Sequence, residues 1–221
     1  MTKPPVIAID GPSASGKGTV AQGVAAALGF HYLNSGALYR AVALAALRRG
    51  AEIEESVLAE TARTLDAKFH GDNVELDGKD ATLAIRSEEV GELASRIAAL
   101  PRVRGTLLER QRALRRPPGL VADGRDMGSV VFPDAALKIF LTATPEERAQ
   151  RRYKQLMDKG MSATMATLLL DIRERDRRDS DRAVAPLQKV AGAVLIDTTS
   201  MSAADAVAQV LALYKEASKV P

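Results

Sequence analysis

Short apolar runs alternate with longer amphipathic stretches through most of the chain. Val6–Asp10 is a β-branched run that stops at Gly11-Pro12, as a buried strand does when it ends in a tight turn. Thr19–Leu28 predicts a helix, Phe30–Leu33 a second short strand, and Ser35–Arg49 a long helix with Ser35 available as its N-cap. Leu120–Ala122, Leu137–Thr142 and Val194–Asp197 are three further apolar runs separated by helical stretches, so they can join the first two in one parallel sheet. Pro145–Lys159 and Ser162 to about Asp179 read as a helical pair around Gly160. Ser202–Lys215 closes the chain with an apolar stripe at Ala203, Val207, Val210, Leu211 and Tyr214. The predicted fold is α/β, a five-stranded parallel sheet flanked by helices.

The middle of the chain breaks this rhythm. Lys68–Ile85 alternates short β-like runs with turn signals at Gly71-Asp72-Asn73 and Asp77-Gly78, which favours a small antiparallel insertion. Ser87–Leu100 and Pro101–Arg115 read as two helices, with Pro101 suited to the first turn of the second. Arg115-Arg116-Pro117-Pro118-Gly119 then interrupts the pattern.

Composition narrows the partners. The 221 residues are 46% hydrophobic and 27% charged, enough for a packed core and without a signature of disorder. The net charge of +3 is small, most arginines have acids close by, and no aromatic-interleaved basic surface is evident. The excess therefore suits small phosphorylated ligands better than a nucleic-acid polymer. Cysteine is absent, which excludes disulfides and thiolate metal sites. No apolar stretch is long enough to span a bilayer, and the chain is expected to be cytoplasmic, with no obligatory protein partner.

Between the first strand and first helix lies Gly11-Pro12-Ser13-Ala14-Ser15-Gly16-Lys17-Gly18-Thr19. Two glycines at this spacing let backbone N–H groups converge on an anion, and Lys17 adds a charge that reaches the β- and γ-phosphates of ATP. The pattern departs from the common phosphate loop because Gly18 follows the lysine and the hydroxyl arrives at Thr19. This Gly-Lys-Gly-Thr form resembles the adenylate kinase group of nucleotide kinases. Mg2+ is expected to be carried by ATP oxygens and water, with Thr19 as its possible protein contact and no dedicated protein metal site.

Three further clusters bear on the acceptor. Asn34-Ser35-Gly36-Ala37-Leu38-Tyr39-Arg40 opens the second helix, where N–H groups, Ser35 and Arg40 can hold a monophosphate; a cap and a solvated charge is the plainer reading. Asp123-Gly124-Arg125-Asp126-Met127-Gly128 follows an apolar run and belongs at the carboxyl edge of a central strand, where ligands gather in open sheets. Arg125 can grip a phosphate there, and Asp123 or Asp126 can serve a metal-bound water. Asp171–Arg182 carries five arginines and five acids. Helical spacing puts Arg175, Asp179 and Arg182 on one face, as in a mobile arginine lid, while a salt-bridged solvent face is the rival. His31 and His70 read as ordinary strand or turn residues, and Met157, Met161 and Met165 as packing residues.

At these motifs the chain resembles the bacterial cytidylate kinase family. The likeness runs through Ile9–Ser13, Gly16–Thr19, Ser35–Arg40, Ala122–Gly128 with Val131–Ala135, and Arg182-Ala183-Val184-Ala185-Pro186-Leu187. It implies a single phosphate-loop kinase domain over 1–221. Its core would be 1–33, 117–145 and 185–221, its monophosphate-binding part 34–116 with the antiparallel insertion over about 63–100, and its lid about 146–184. It also implies that Ser35, Arg40, Arg125 and Arg182 hold the CMP phosphate, with Tyr39 and Gly124 in the same motifs, Arg175 and Asp179 on the ribose side, and Ser95, Arg104 and Asp126 on the cytosine edge. Read without the likeness, Ser95 and Arg104 are helix-surface positions. Asn34 stands where a familiar relative has Asp.

Cytosine offers an N4 amino donor where a carboxylate such as Asp126 can accept, whereas uracil sets an acceptor against it. The expected reaction is direct in-line transfer of the γ-phosphoryl group of ATP to CMP, and to dCMP, with Lys17, Arg125 and Arg182 as the catalytic cations. A kinase for another small acceptor, such as UMP, AMP or shikimate, and an ATP-switched binding module are the alternatives.

Overall fold

The computed structural model describes residues 3–50, 53–70, 73–158, 160 and 162–218. The Gly71-Asp72 turn signal, Lys159 at the end of one predicted helix and Met161 lie outside these residues. Along the chain the elements are β1 (Val6–Asp10), α1 (Lys17–Leu28), β2 (His31–Asn34), α2 (Ser35–Arg48), α3 (Glu55–Arg63), β3 (Ala67–His70), β4 (Asn73–Leu76), β5 (Lys79–Asp80), α4 (Glu88–Ile97), α5 (Pro101–Ala113), β6 (Leu120–Gly124), β7 (Leu137–Thr142), α6 (Pro145–Met157), α7 (Met165–Ser180), β8 (Val194–Asp197) and α8 (Ala203–Ala217). A 3-10 turn covers Ala84–Arg86 and a π-helical turn Met127–Val131. The chain divides into two compact units, Met1–Leu33 with Leu114–Pro221, and Asn34–Ala113.

In the first unit, five strands among the described residues form one sheet in the order β2-β6-β1-β7-β8. β1 pairs in parallel with β6 and β7, and β7 in parallel with β8. Every residue of β1 and β6 is buried, which is why both read as unbroken apolar runs instead of alternating ones. The register sets Ile9 opposite Asp123 and Asp10 opposite Gly124, so the loops that leave β1 and β6 start side by side at the carboxyl edge. Ile7, Ile9, Val121, Ile139 and Leu141 meet Val20 and Val24 of α1 and Ala206 and Val210 of α8 in one core. Helices α1 and α8 approach closely at Gly23, where a Cβ would stand 2.7 Å from Val207 Cγ2. The α8 stripe holds at Val207, Val210, Leu211 and Tyr214, but Ala203 is exposed and Ala206 fills the inward position.

The second unit has its own core, built from α2 to α5 and the small sheet β3-β4-β5. Both pairings in that sheet are antiparallel. Asp77 and Gly78, at φ 51° and 73°, make the tight β4–β5 hairpin turn with positive φ at both central positions. The sequence pattern missed α3, a nine-residue helix whose buried positions are only Leu58, Thr61 and Ala62 and whose N-cap, Glu54, makes no side-chain hydrogen bond. Ser35 is not the cap of α2. Asn34 takes that position, accepting the Ala37 N–H at 2.9 Å, and Ser35 becomes the first helical residue, buried.

Candidate active site

The loop Gly11–Thr19 is shaped by three backbone features. Gly11 passes so close to β7 that a Cβ would lie 2.0 Å from the Leu141 carbonyl oxygen. Ala14 and Gly16 adopt left-handed conformations, φ 56° and 87°, with Gly16 at the N-cap of α1. Such alternation turns consecutive N–H groups toward one point and, with the helix start, makes an anion cradle. Pro12 is buried, Gly18 half-buried and Thr19 exposed on the first turn of α1. The hydroxyls of Ser13 and Ser15 are buried, and neither has a hydrogen-bond partner among the described residues.

Lys17 is buried and donates from Nζ to the Pro12 carbonyl at 2.9 Å. Burial first, then the charge of Arg125, pulls its ammonium down to about 7; Asp123 and Asp179 work against the fall and Arg175 adds to it. Asp123, inside β6, is buried and accepts the Tyr32 hydroxyl at 2.6 Å. Burial pushes its carboxyl up, while Lys17, Tyr32 and Arg125 favour the charged form. A Cβ on Gly18 would lie 3.5 Å from Asp123 Oδ2, so the glycine that follows the lysine keeps the loop low over this carboxylate.

Gly124, the last residue of β6, leaves no room for a side chain: a Cβ would meet Met127 Cε at 2.8 Å. Arg125 follows, donating from Nε to Asp179 Oδ2 at 2.8 Å and from Nη1 to the Gly124 carbonyl at 3.3 Å. Asp179 Oδ1 accepts Arg182. Burial alone would raise the Asp179 carboxyl, but Arg125, Arg182 and Arg175 outweigh it and hold the group below the usual carboxylate range. Lys17, Asp123, Arg125, Arg175, Asp179 and Arg182 thus act on one another electrostatically within the first unit. Asp126 is buried at the start of the π turn, where its carbonyl accepts the N–H groups of Val130 and Val131.

In the second unit, Ser35, Tyr39 and Arg40 lie along the start of α2. Arg40 Nη1 donates to the carbonyls of Ile85 and Ser87 at 3.0 and 3.2 Å. Its guanidinium rests on Gly91 of α4, where a Cβ would come within 2.6 Å of Nη2. Ser95 and Arg104 are buried, not the helix-surface residues that their sequence context alone suggests. Arg104 Nη1 donates to the Ala98 carbonyl at 3.1 Å, and the Ser95 hydroxyl has no hydrogen-bond partner among the described residues.

Three residues escaped the sequence reading. Arg148 and Arg151 of α6 look like solvated helix charges, yet Arg148 is buried and reaches the carbonyls of Ser13 and Ala143 and both carboxylate oxygens of Asp176. Arg151 reaches the Ser15 carbonyl at 3.2 Å and Thr198 Oγ1 at 3.1 Å. Only tertiary contacts reveal these two. The third, Asp10, did carry a signal, since a carboxylate closes an otherwise apolar strand. Its oxygens accept the N–H groups of Met127 and Gly128, each at 2.8 Å. Burial pushes this carboxyl up to about 6 despite those bonds; Asp126 adds to the rise and Arg125 opposes it. The two histidines lie in strands, His31 with Nε2 2.9 Å from the Pro117 carbonyl and His70 ending β3. Met157 and Met165 are each 37% exposed, so neither is the packing residue expected.

Among the described residues no group of three or more His, Asp or Glu side chains is arranged to hold a metal ion, and no helix is long and apolar enough to cross a membrane. Thr19, on the first turn of α1, and Asp123, whose Oδ2 would lie 3.5 Å from a Cβ on Gly18, both carry oxygens of the kind that suits a hard cation.

The family model described as cytidylate kinase matches residues 7–216. A cytidylate kinase of Nitrosomonas eutropha is 56% identical over 217 residues, covering 98% of this chain and 97% of that protein. One of Bordetella pertussis is 61% identical over 208 residues, covering 94% and 93%. Among solved structures, an uncharacterized protein from Eubacterium ventriosum superposes with a TM-score of 0.55 at 12% identity, covering 97% of this chain and 99% of that one, a likeness of fold alone.

Proposed function

Because the chain belongs to the cytidylate kinase family, and so is a nucleoside monophosphate kinase, we propose that it moves the γ-phosphoryl group of ATP to CMP, and to dCMP, releasing ADP and CDP or dCDP. The observation that carries the donor side is Lys17 in a left-handed, glycine-lined loop at the carboxyl edge of β1, beside Arg125 at the end of β6.

In this reading a phosphate oxygen of CMP, already ionised at neutral pH, attacks the γ-phosphorus. The bond from that phosphorus to the β,γ-bridging oxygen breaks, and its electron pair leaves with ADP. No general base is needed. The transition state is loose and spreads negative charge over the transferring oxygens, so catalysis is placement plus charge stabilisation. Loop N–H groups of Gly11–Thr19 cradle the β- and γ-phosphates, with Lys17 charged against them. Arg125 and Arg182 turn part of their donor sets to the acceptor phosphate, and Ser35 and Arg40 serve the same group from α2. Arg175 and Asp179 take the ribose side, while Ser95, Arg104 and Asp126 read the base. The buried Ser95 hydroxyl without a partner supports the last assignment, because such a group costs free energy unless a ligand satisfies it.

Mg2+ arriving with ATP fits the donor set, which offers hard oxygens at Thr19 and Asp123 and no thiolate. When bound, it supplies neutralisation of phosphate charge.

ADP release measured with CMP, dCMP, UMP, AMP and shikimate as acceptors tests the reading. Rapid turnover with CMP and dCMP and little with the others is expected; turnover independent of any acceptor, or preference for AMP, would overturn it.

A further inference from the structure

We infer that Asp10 is a positioning residue for the acceptor side of the reaction: its carboxylate fixes the turn that presents Arg125 and Asp126, although it stands directly ahead of the phosphate loop. The inference rests on the acceptor roles proposed for those two residues.

Asp10 ends β1 with 6% of its surface exposed, and β1 runs beside β6 with Asp10 level with Gly124. From there its carboxylate crosses to the neighbouring loop and accepts two successive backbone N–H groups, Met127 to Oδ1 and Gly128 to Oδ2. These are the first residues of the π turn Met127–Val131. The opening N–H groups of any helical turn lack partners within it, so without Asp10 two buried donors would be left unsatisfied. The turn bonds directly to Asp126, whose carbonyl accepts from Val130 and Val131, and the Phe132 N–H closes back on Met127; Arg125 is the next residue back along the chain. π turns are uncommon and concentrate at functional sites.

The fit is tight on both sides. A Cβ on Gly128 would lie 3.4 Å from Asp10 Oδ2 and 3.3 Å from Lys138 Cδ, and one on Gly124 would strike Met127. Burying a carboxylate that is held by backbone N–H groups costs more than an apolar residue in the same place. What the carboxylate provides is a fixed path for residues 124–128. Arg125 and Asp126 lie within that path, so displacement of the turn moves the groups assigned to CMP, while the backbone bends of the donor loop at Gly11, Ala14 and Gly16 stay as they are.

The test is a split between the two substrates. In the full-length protein, Asp10→Asn keeps the shape of the side chain but sets its amide NH2 against a backbone N–H; Asp10→Ser removes both carboxylate oxygens and leaves a single hydroxyl on a shorter side chain. Loss of a charge-assisted bond of this kind is expected to raise KM for CMP about tenfold in Asp10→Asn, and further in Asp10→Ser, with KM and Kd for ATP changed by less than about twofold. Gly128→Ala, which presses on the same carboxylate from the other side, should shift KM for CMP in the same direction by a smaller factor, and it carries the test if the Asp10 variants do not fold. KM for CMP unchanged in the folded variants, or CMP and ATP parameters worsening by one common factor, would overturn the inference. Wild-type protein that fails to phosphorylate CMP would instead overturn the function on which it rests.

Discussion

Arg125 and Asp179 are joined by one 2.8 Å hydrogen bond from Nε to Oδ2, across 54 residues of sequence. Asp179 is 1% exposed and gives its other oxygen to Arg182. One carboxylate therefore aligns two guanidinium groups, with Arg175 and Lys17 also in its field. Together with Asp123 the cluster sets two carboxylates against four cations, a surplus of positive charge out of water. Burial first, and then the charge of Arg125, depresses Lys17, and the surplus invites a polyanion.

Asp179→Asn removes the charge while keeping the shape. Breaking a buried pair from one side leaves uncompensated charge and costs about 3–5 kcal/mol of folding stability; separately, Arg125 and Arg182 lose the carboxylate that aligns them, so kcat/KM for CMP should fall on the order of 100-fold. The stability effect has a defined sign. The folded-state carboxyl lies below its ordinary value, so its contribution is present above the unfolded value near 3.8 and is lost as pH falls through the folded one. Urea titrations should show wild type and variant far apart at pH 7 and converging at strongly acid pH; a constant gap would remove the charge from the account.

Lys17→Met should abolish transfer and leave the fold intact or more stable. A lysine that titrates near 10.5 unfolded and about 7 folded binds its proton less tightly when folded. Wild-type stability therefore rises as pH climbs from about 7 to 10.5, and the charged lysine is most costly below 7. The variant should gain most in melting temperature at pH 6 and almost nothing near pH 10. ATP binding to wild type should take up a proton at pH 8, because the triphosphate restores the ammonium; calorimetry in buffers of different ionisation enthalpy reads this directly, and uptake that persists in Lys17→Met would assign it elsewhere.

The sheet and the bends of the loop 11–19 were legible because they rest on local chemistry: apolar runs bounded by turn residues, and a glycine pattern with one cation. Val6–Asp10, Leu137–Thr142 and Val194–Asp197 form strands at the bounds expected from the sequence, while β6 extends through Asp123 and Gly124, polar or small residues that pair because β1 lies alongside. Contacts between distant segments were not legible. The hydrogen bonds from Arg148 to Ser13 and Asp176 span 135 and 28 residues, and nothing in the run Glu146-Glu147-Arg148 separates a buried arginine from a solvated one. Helix α3 escaped because its apolar stripe is short, and the cap of α2 was misassigned because Asn34 and Ser35 are both good caps and only backbone direction chooses.

Gly91→Ala should damage acceptor binding without touching any substrate. The new Cβ would stand 2.6 Å from Arg40 Nη2 and 3.1 Å from Cζ, and the far end of a flexible side chain yields more readily than α4 does. Arg40 would then lose its bonds to the carbonyls of Ile85 and Ser87. KM for CMP should rise about tenfold, as loss of one well-aligned guanidinium contact would give, with ATP affinity and melting temperature little changed. An unaltered KM for CMP would mean that Arg40 does not serve the acceptor phosphate from this position.

Ser95→Ala separates a ligand-binding hydroxyl from a structural one by the sign of two effects. The Ser95 side chain is buried on α4 and its hydroxyl has no hydrogen-bond partner among the described residues. A hydroxyl in that condition costs about 1–3 kcal/mol, so its removal should leave the protein as stable or more so, with a melting temperature higher by up to a few degrees. If the hydroxyl is kept for the base of the acceptor, the same substitution should raise KM for CMP about tenfold, since a site built on a hydrogen bond discriminates by it. Stability and affinity then move in opposite directions, which a packing role does not produce. Thermal melts with and without CMP, alongside steady-state kinetics, give both signs from one preparation; a lower melting temperature with unchanged KM would assign Ser95 to the core of its own unit.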